Sequence, residues 1–60
     1  MKEYNYINDF GISKKLVVGE IKDGKYPITL WENEHGEFCG SGTFTPKQLI
    51  DYLAHYGITA

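Results

Sequence analysis

The stretch Phe44-Thr45-Pro46-Lys47-Gln48-Leu49 marks the point where an extended chain turns into a helix. Thr45 and Gln48 have the capping-box spacing. The Thr45 hydroxyl accepts from the Gln48 N–H, the Gln48 side chain reaches back to the Thr45 N–H, and Pro46 takes the first helical position, where a missing donor costs nothing. Phe44 and Leu49 occupy the two positions of a hydrophobic staple. Leu49, Ile50, Leu53 and Tyr56 follow at helical spacing, with Lys47, Asp51 and His55 facing away. Gly57 suits a left-handed helix end, with Ile58 folding back on Leu53. The pattern predicts a helix over 46–56.

Upstream, two turn signals divide the chain into extended runs. Asp23-Gly24 is a strong hairpin dipeptide and joins 15–22 to 25–32. Asn33-Glu34-His35-Gly36 places Asn where a type I turn begins and Gly where a left-handed residue closes it, joining the second run to 37–44. Short connections of this kind make an antiparallel three-stranded β-meander over 15–44. The expected fold is therefore α+β, one meander packed on one C-terminal helix in a single small domain. The arm at 1–12 has no clean helical period; Tyr4-Asn5-Tyr6-Ile7 reads as a further edge strand and Asn8-Asp9-Phe10-Gly11 as the turn after it.

Register follows from the turns. Pairing Asn33 with Glu37 sets Leu30 opposite Gly40, Ile28 opposite Gly42 and Tyr26 opposite Phe44. The expected core face then holds Tyr26, Ile28, Leu30, Phe38 and Phe44, with Gly40 and Gly42 forming a trough for the helix. Continuing through Asp23-Gly24 adds Val17, Gly19 and Ile21 to that side. Leu16, Val18, Thr29, Trp31, Cys39, Ser41 and Thr43 fall on the other. Pro27 interrupts the scheme, because a proline in a central strand removes one ladder donor; a bulge, or pairing that stops short of it, is expected there.

Sixty residues cannot be divided into two self-supporting cores, and a domain of this size buries only about 60% of the surface its unfolded chain exposes. Cys39 is the only cysteine, so no internal disulfide compensates, and a reducing, cytoplasmic setting fits best. Residues 1–10 lack the basic end and apolar run of a signal peptide. The longest aliphatic run, Leu16-Val17-Val18, is far too short to span a bilayer.

Eight acidic side chains stand against six lysines and no arginine, for a net charge of -2. Without the guanidinium fork that grips phosphate and guanine, generic nucleic-acid binding is disfavoured. Catalytic and metal chemistry find little support. His35, Cys39 and His55 with Glu34 or Glu37 lack the paired spacing of a zinc site. Cys39 has only His35 as a nearby base, too little to make it a nucleophile. Gly40-Ser41-Gly42 lacks the lysine or third glycine of a phosphate loop, and strand packing explains it better. No catalytic, cofactor or metal residues are assigned.

Trp31 is the strongest surface candidate, since the alternation that buries Leu30 sends the only tryptophan to the opposite face. Either the N-terminal arm covers it, or it anchors a contact, as tryptophan often does at interface centres. The sequence therefore leads to a non-enzymatic protein-binding module, a small regulator or inhibitor. Its expected contact residues are Leu16, Val18, Thr29, Trp31 and Thr43, and its partner is another protein or a second copy in a homodimer. Single-stranded nucleic-acid binding is the alternative, with aromatic stacking and Lys14, Lys15, Lys22 and Lys25 tracking phosphates. An acidic decoy presenting Glu32, Glu34 and Glu37 to a nucleic-acid enzyme is a third.

Overall fold

Two consecutive residues with positive φ, Asp23 at 52° and Gly24 at 77°, make the hairpin turn that their dipeptide favours, because this turn matches the right-handed twist of the flanking strands. Lys22 and Lys25 close it with reciprocal backbone hydrogen bonds of 2.7 and 3.0 Å. The computed structural model describes residues 1–58. Its elements are β1 (Lys2–Ile7), β2 (Ser13–Val18), β3 (Tyr26–Glu32), β4 (Glu37–Phe44) and α1 (Pro46–His55). The strands form one four-stranded antiparallel sheet in the order β1-β2-β3-β4, and the helix covers one side of it. This is the α+β architecture expected, with the N-terminal edge strand present.

The arm joins the sheet through alternation. Tyr4 and Tyr6 pair with Leu16 and Lys14, and both tyrosines pack on the core beneath the helix. Asn8 then organises the return to β2: its side-chain oxygen accepts from the N–H groups of Phe10 and Ile12, each at 2.9 Å. This is the local bonding that makes Asn a turn residue. Because β1 extends the sheet edgewise, the arm does not cover the Trp31 face.

At the helix start, Gln48 N–H donates to Thr45 Oγ1 at 3.2 Å and Thr45 N–H to Gln48 Oε1 at 2.9 Å, completing the capping box with Pro46 in the first turn. At its end, Gly57 takes φ 68°; its N–H reaches the Ala54 carbonyl and the Ile58 N–H reaches that of Leu53. These are the paired bonds of a Schellman cap. Leu49 and Leu53 are buried, whereas Ile50 is 63% exposed. The buried stripe is thus Leu49, Tyr52, Leu53 and Tyr56, a correction to the expected place of Ile50. Aromatic packing rotates the helix: Tyr52 lies 5.2 Å from Phe44 and 5.8 Å from Tyr6, ring centre to ring centre.

The core consists of Tyr6, Leu16, Val18, Leu49 and Leu53, bordered by Tyr26, Ile28, Leu30 and Phe44. Leu16 and Val18 therefore lie beneath the helix, not beside Trp31 as expected. Val17, expected in the core, turns to the opposite face, and Ile21 is half exposed. One extra residue causes the reversal. Between the Lys22–Lys25 bridge and the Val18–Ile28 pair, Gly19, Glu20 and Ile21 stand against Tyr26 and Pro27 alone. Pro27 has no N–H to offer, and regular pairing with β2 ends at Ile28, as its ring chemistry foretold. A slip of one residue exchanges the two faces of a strand.

A second irregularity lies between β3 and β4. The pairs Tyr26–Phe44, Ile28–Gly42 and Leu30–Gly40 form as expected, but the next is Trp31–Phe38 and the last Glu32–Glu37. Cys39 is the unpaired extra residue. Phe38 is consequently moved from the core face, where it was expected, to the side of Trp31.

The glycine trough is also corrected. A Cβ at Gly42 would meet nothing within 4 Å, so the helix does not press on β4 there. Gly42→Val should accordingly raise stability by about 0.5–1 kcal/mol through strand propensity, with no overpacking against it. A higher urea midpoint checks this; a lower one would mean that the helix does reach Gly42.

Candidate functional site

The face opposite the helix is built from three cross-strand rows. Glu3, Val17, Thr29 and Ser41 are successive neighbours across the sheet; Asn5, Lys15, Trp31 and Phe38 form the row on one side; Pro27 and Thr43 pair on the other. Trp31 stands edge-to-face on Phe38, with ring centres 5.2 Å apart. Its indole N–H donates to Thr29 Oγ1 at 3.0 Å. That bond satisfies the ring's only donor, so what it presents outward is apolar. Lys15 Nζ lies 6.0 Å from the Trp31 ring centre and 3.9 Å from Glu3 Oε1. The aromatic pair is therefore flanked by a base and an acid that offset each other.

Beyond Thr29, away from Trp31, the face opens into a shallow cleft of about 200 Å³ lined by Met1, Val17, Gly19, Pro27, Ile28 and Thr29. Its origin is the register slip: Gly19 N–H donates to the Pro27 carbonyl at 2.8 Å, and the absent Gly19 side chain leaves the Pro27 ring uncovered. A second depression of about 340 Å³ lies by the hairpin turn, lined by Lys22, Asp23, Lys25, Pro27 and Thr43.

Of the expected contact residues, Thr29, Trp31 and Thr43 share this face, while Leu16 at 1% and Val18 at 5% exposure are excluded from any contact surface. Phe38, Val17 and Pro27 belong to the site and were not assigned to it from the sequence, and Lys15 was named there only as a phosphate-tracking lysine. The signals for them were the two register breaks: Pro27 inside a strand, and Gly40 next to the residue that bulges.

The polar groups elsewhere have structural work. Glu32 accepts from the backbone N–H groups of Glu34 and His35, the latter at 3.0 Å, and its carboxylate lies 3.3 Å from His35 Nδ1. It thereby closes the four-residue turn between β3 and β4. Ligand-type atoms of Glu32, Glu34 and His35 lie within 4.8 Å of one another, but the carboxylate is already engaged by the turn's own N–H groups. Cys39 and His55 do not join them: Cys39 Sγ is 3.3 Å from Lys14 Nζ, and His55 Nε2 is 3.4 Å from Asp9. The Tyr6 hydroxyl bonds that of Tyr52. Burial first, and this hydroxyl partner second, push the Tyr6 pKa well above the usual tyrosine range.

Partial burial acts to raise the Glu32 carboxyl, but the N–H groups of His35 and Glu34, together with the His35 ring, outweigh it and hold the pKa below its ordinary value. A carboxyl depressed in the folded state stabilises above its unfolded pKa, and that contribution is lost as pH falls through the folded value. The thermal midpoint of Glu32→Gln should therefore fall less steeply than that of the parent between about pH 5 and pH 3. Parallel profiles would show that the turn does not depend on the charge.

No protein-family model matches this chain, and no curated protein or solved structure matches it.

Proposed function

We propose that this chain is a non-enzymatic protein-binding module, a small regulator or inhibitor working in a reducing compartment such as the cytoplasm, and that it binds through the open sheet face. The observation that carries the reading is the aromatic pair Trp31 and Phe38 on the side away from the helix, where Phe38 is 56% exposed and Trp31 is half-buried beside it. Contiguous apolar surface of this kind marks interaction sites, and tryptophan is the residue most often found at their energetic centres. Thr29 and Ser41, in the next cross-strand row, border the pair with short side chains, with Thr43 one row further on, which suits the face to a flat partner surface.

Nucleic acid is a poorer fit. Lys15, the lysine beside Trp31, is offset by Glu3, and Lys14 turns to the other face, where it meets Cys39. Stacking platforms for single strands need a cationic track beside the rings. The acidic decoy loses one of its three charges, because Glu32 is committed to the turn.

The test is affinity capture from lysate with the full chain and with Trp31→Lys as baits, at low and high salt. A protein held by the parent bait at both salt concentrations and lost from Trp31→Lys supports the reading. Nucleic acid retained at low salt and released steeply as salt rises would replace it with the stacking alternative. Equal retention by both baits would remove the open face from the function.

A further inference from the structure

Beyond the open face, we infer a second contact surface: the free edge of β4 takes up an extended segment of another protein as an added antiparallel strand. The segment directs large apolar side chains to the helix side, opposite Gly40 and Gly42.

β4 is an outer strand of the sheet, and alternation tells which of its backbone groups lack a partner. The Asn33 N–H donates to the Ser13 carbonyl and the Gly19 N–H to the Pro27 carbonyl, so odd-numbered residues along β3 turn their backbone groups toward β2. Tyr26, Ile28 and Leu30 turn theirs toward β4, where they meet Phe44, Gly42 and Gly40. Ser41 and Thr43, in between, therefore direct N–H and C=O away from the sheet. Among the described residues no further strand pairs with them. Edges of this kind are ordinarily blunted by charge or proline. β1, at the other edge, carries Lys2 and Glu3, whereas β4 from Phe38 to Phe44 carries neither charge nor proline. The bulge at Cys39 lies outside the regularly paired stretch from Gly40 to Phe44.

The helix side of that edge is bare. A Cβ at Gly40 or Gly42 would meet nothing within 4 Å. Their cross-strand neighbours Leu30 and Ile28 stay half-buried although they border the core. In an antiparallel addition, the residues that bond Ser41 and Thr43 point their side chains to the open face, and those between them point to the helix side. Large apolar side chains at the latter positions would lie over the glycines toward Ile28 and Leu30, as aromatic residues do opposite edge glycines. This shelf selects the occupant. A second β4, paired antiparallel about Ser41, would set Gly40 against Gly42 twice and leave the shelf uncovered, so the added strand comes from a different chain.

Two capped peptides test this, each alternating Phe with Thr between terminal lysines, one N-methylated at every Phe and the other at every Thr. Their side chains are the same, but each has the opposite hydrogen-bonding edge blocked. The Phe-methylated peptide keeps the Thr N–H groups that would face Ser41 and Thr43. Titrated into the isotope-labelled full chain, it is expected to shift the Ser41 and Thr43 amide resonances. It should bind about tenfold or more tighter than the Thr-methylated peptide, which forfeits those backbone bonds. Ser41→Pro removes an outward N–H without touching the ladder to β3 and should abolish the binding; circular dichroism shows whether this variant stays folded, and if it does not, the two peptides decide alone. Equal affinities, shifts confined to β1 or to the Trp31 and Phe38 face, or no shift at Ser41 and Thr43 at millimolar peptide overturn the inference. Amide exchange at Ser41 and Thr43 that slows as the free chain is concentrated would give the edge to a second copy and overturn the assignment to another protein.

Discussion

Leu16→Ala should cost about 2–5 kcal/mol, the range for truncating a leucine in a core that cannot collapse around the gap. Leu16 is 1% exposed, the least of the core residues, and pairs with Tyr4 on one side and Leu30 on the other. In a domain of 60 residues such a loss is a large part of the total stability. The variant is expected to be partly or wholly unfolded in buffer, and a urea titration followed by circular dichroism measures it. Val17→Ala is the control, because Val17 sits on the open face one residue away. The pair reads the register directly: a large effect at Leu16 with a small one at Val17 matches the sheet described, and the reverse would restore the unbulged hairpin.

Gly19→Val should cost about 1–3 kcal/mol by overpacking. A Cβ at Gly19 would stand 2.9 Å from Pro27 Cγ, and a proline ring can move that atom only by changing its pucker. The strain belongs to the pair, so removing the ring should relieve it. In a double-mutant cycle with Pro27→Ala, the two changes are expected to be non-additive by about 0.5–3 kcal/mol, the usual coupling between residues in contact. Additive costs would show that the two do not touch. The same cycle bears on the open face, since Gly19 and Pro27 border its cleft; a variant that fills the cleft while staying folded should also weaken any contact made there.

The elements of this protein were legible from local chemistry. Thr45, Pro46 and Gln48 specify a helix start within one turn, because the hydrogen bonds that satisfy its first N–H groups come from those residues themselves. Asp23-Gly24 specifies a turn because few other residues adopt two consecutive positive φ angles. Strand order followed from the shortness of the connections. The pairing of Tyr26, Ile28 and Leu30 with Phe44, Gly42 and Gly40 was likewise counted from the second turn.

What the chain's local signals misplaced was the face taken by Leu16, Val17, Val18 and Phe38. That was decided by two single-residue irregularities, one opposite Pro27 and one at Cys39, and each reversed a set of assignments: Leu16 and Val18 went inward, Phe38 outward. Pro27 signalled an irregularity beside itself, but local preferences do not fix the register that follows a bulge, because its cost of a few ladder bonds is set against the burial of whole rows of side chains across the sheet. Here burying Leu16 and Val18 beneath Leu49 and Leu53 outweighs an unbroken ladder beside a proline that could not have completed it. The amino-acid sequence by itself determined the helix, the turns and the strand order, each fixed by groups a few residues apart. The tertiary structure alone decided the register beyond each bulge, and with it the open face that pairs Trp31 with Phe38, because only packing between distant segments distinguishes the two sides of a strand.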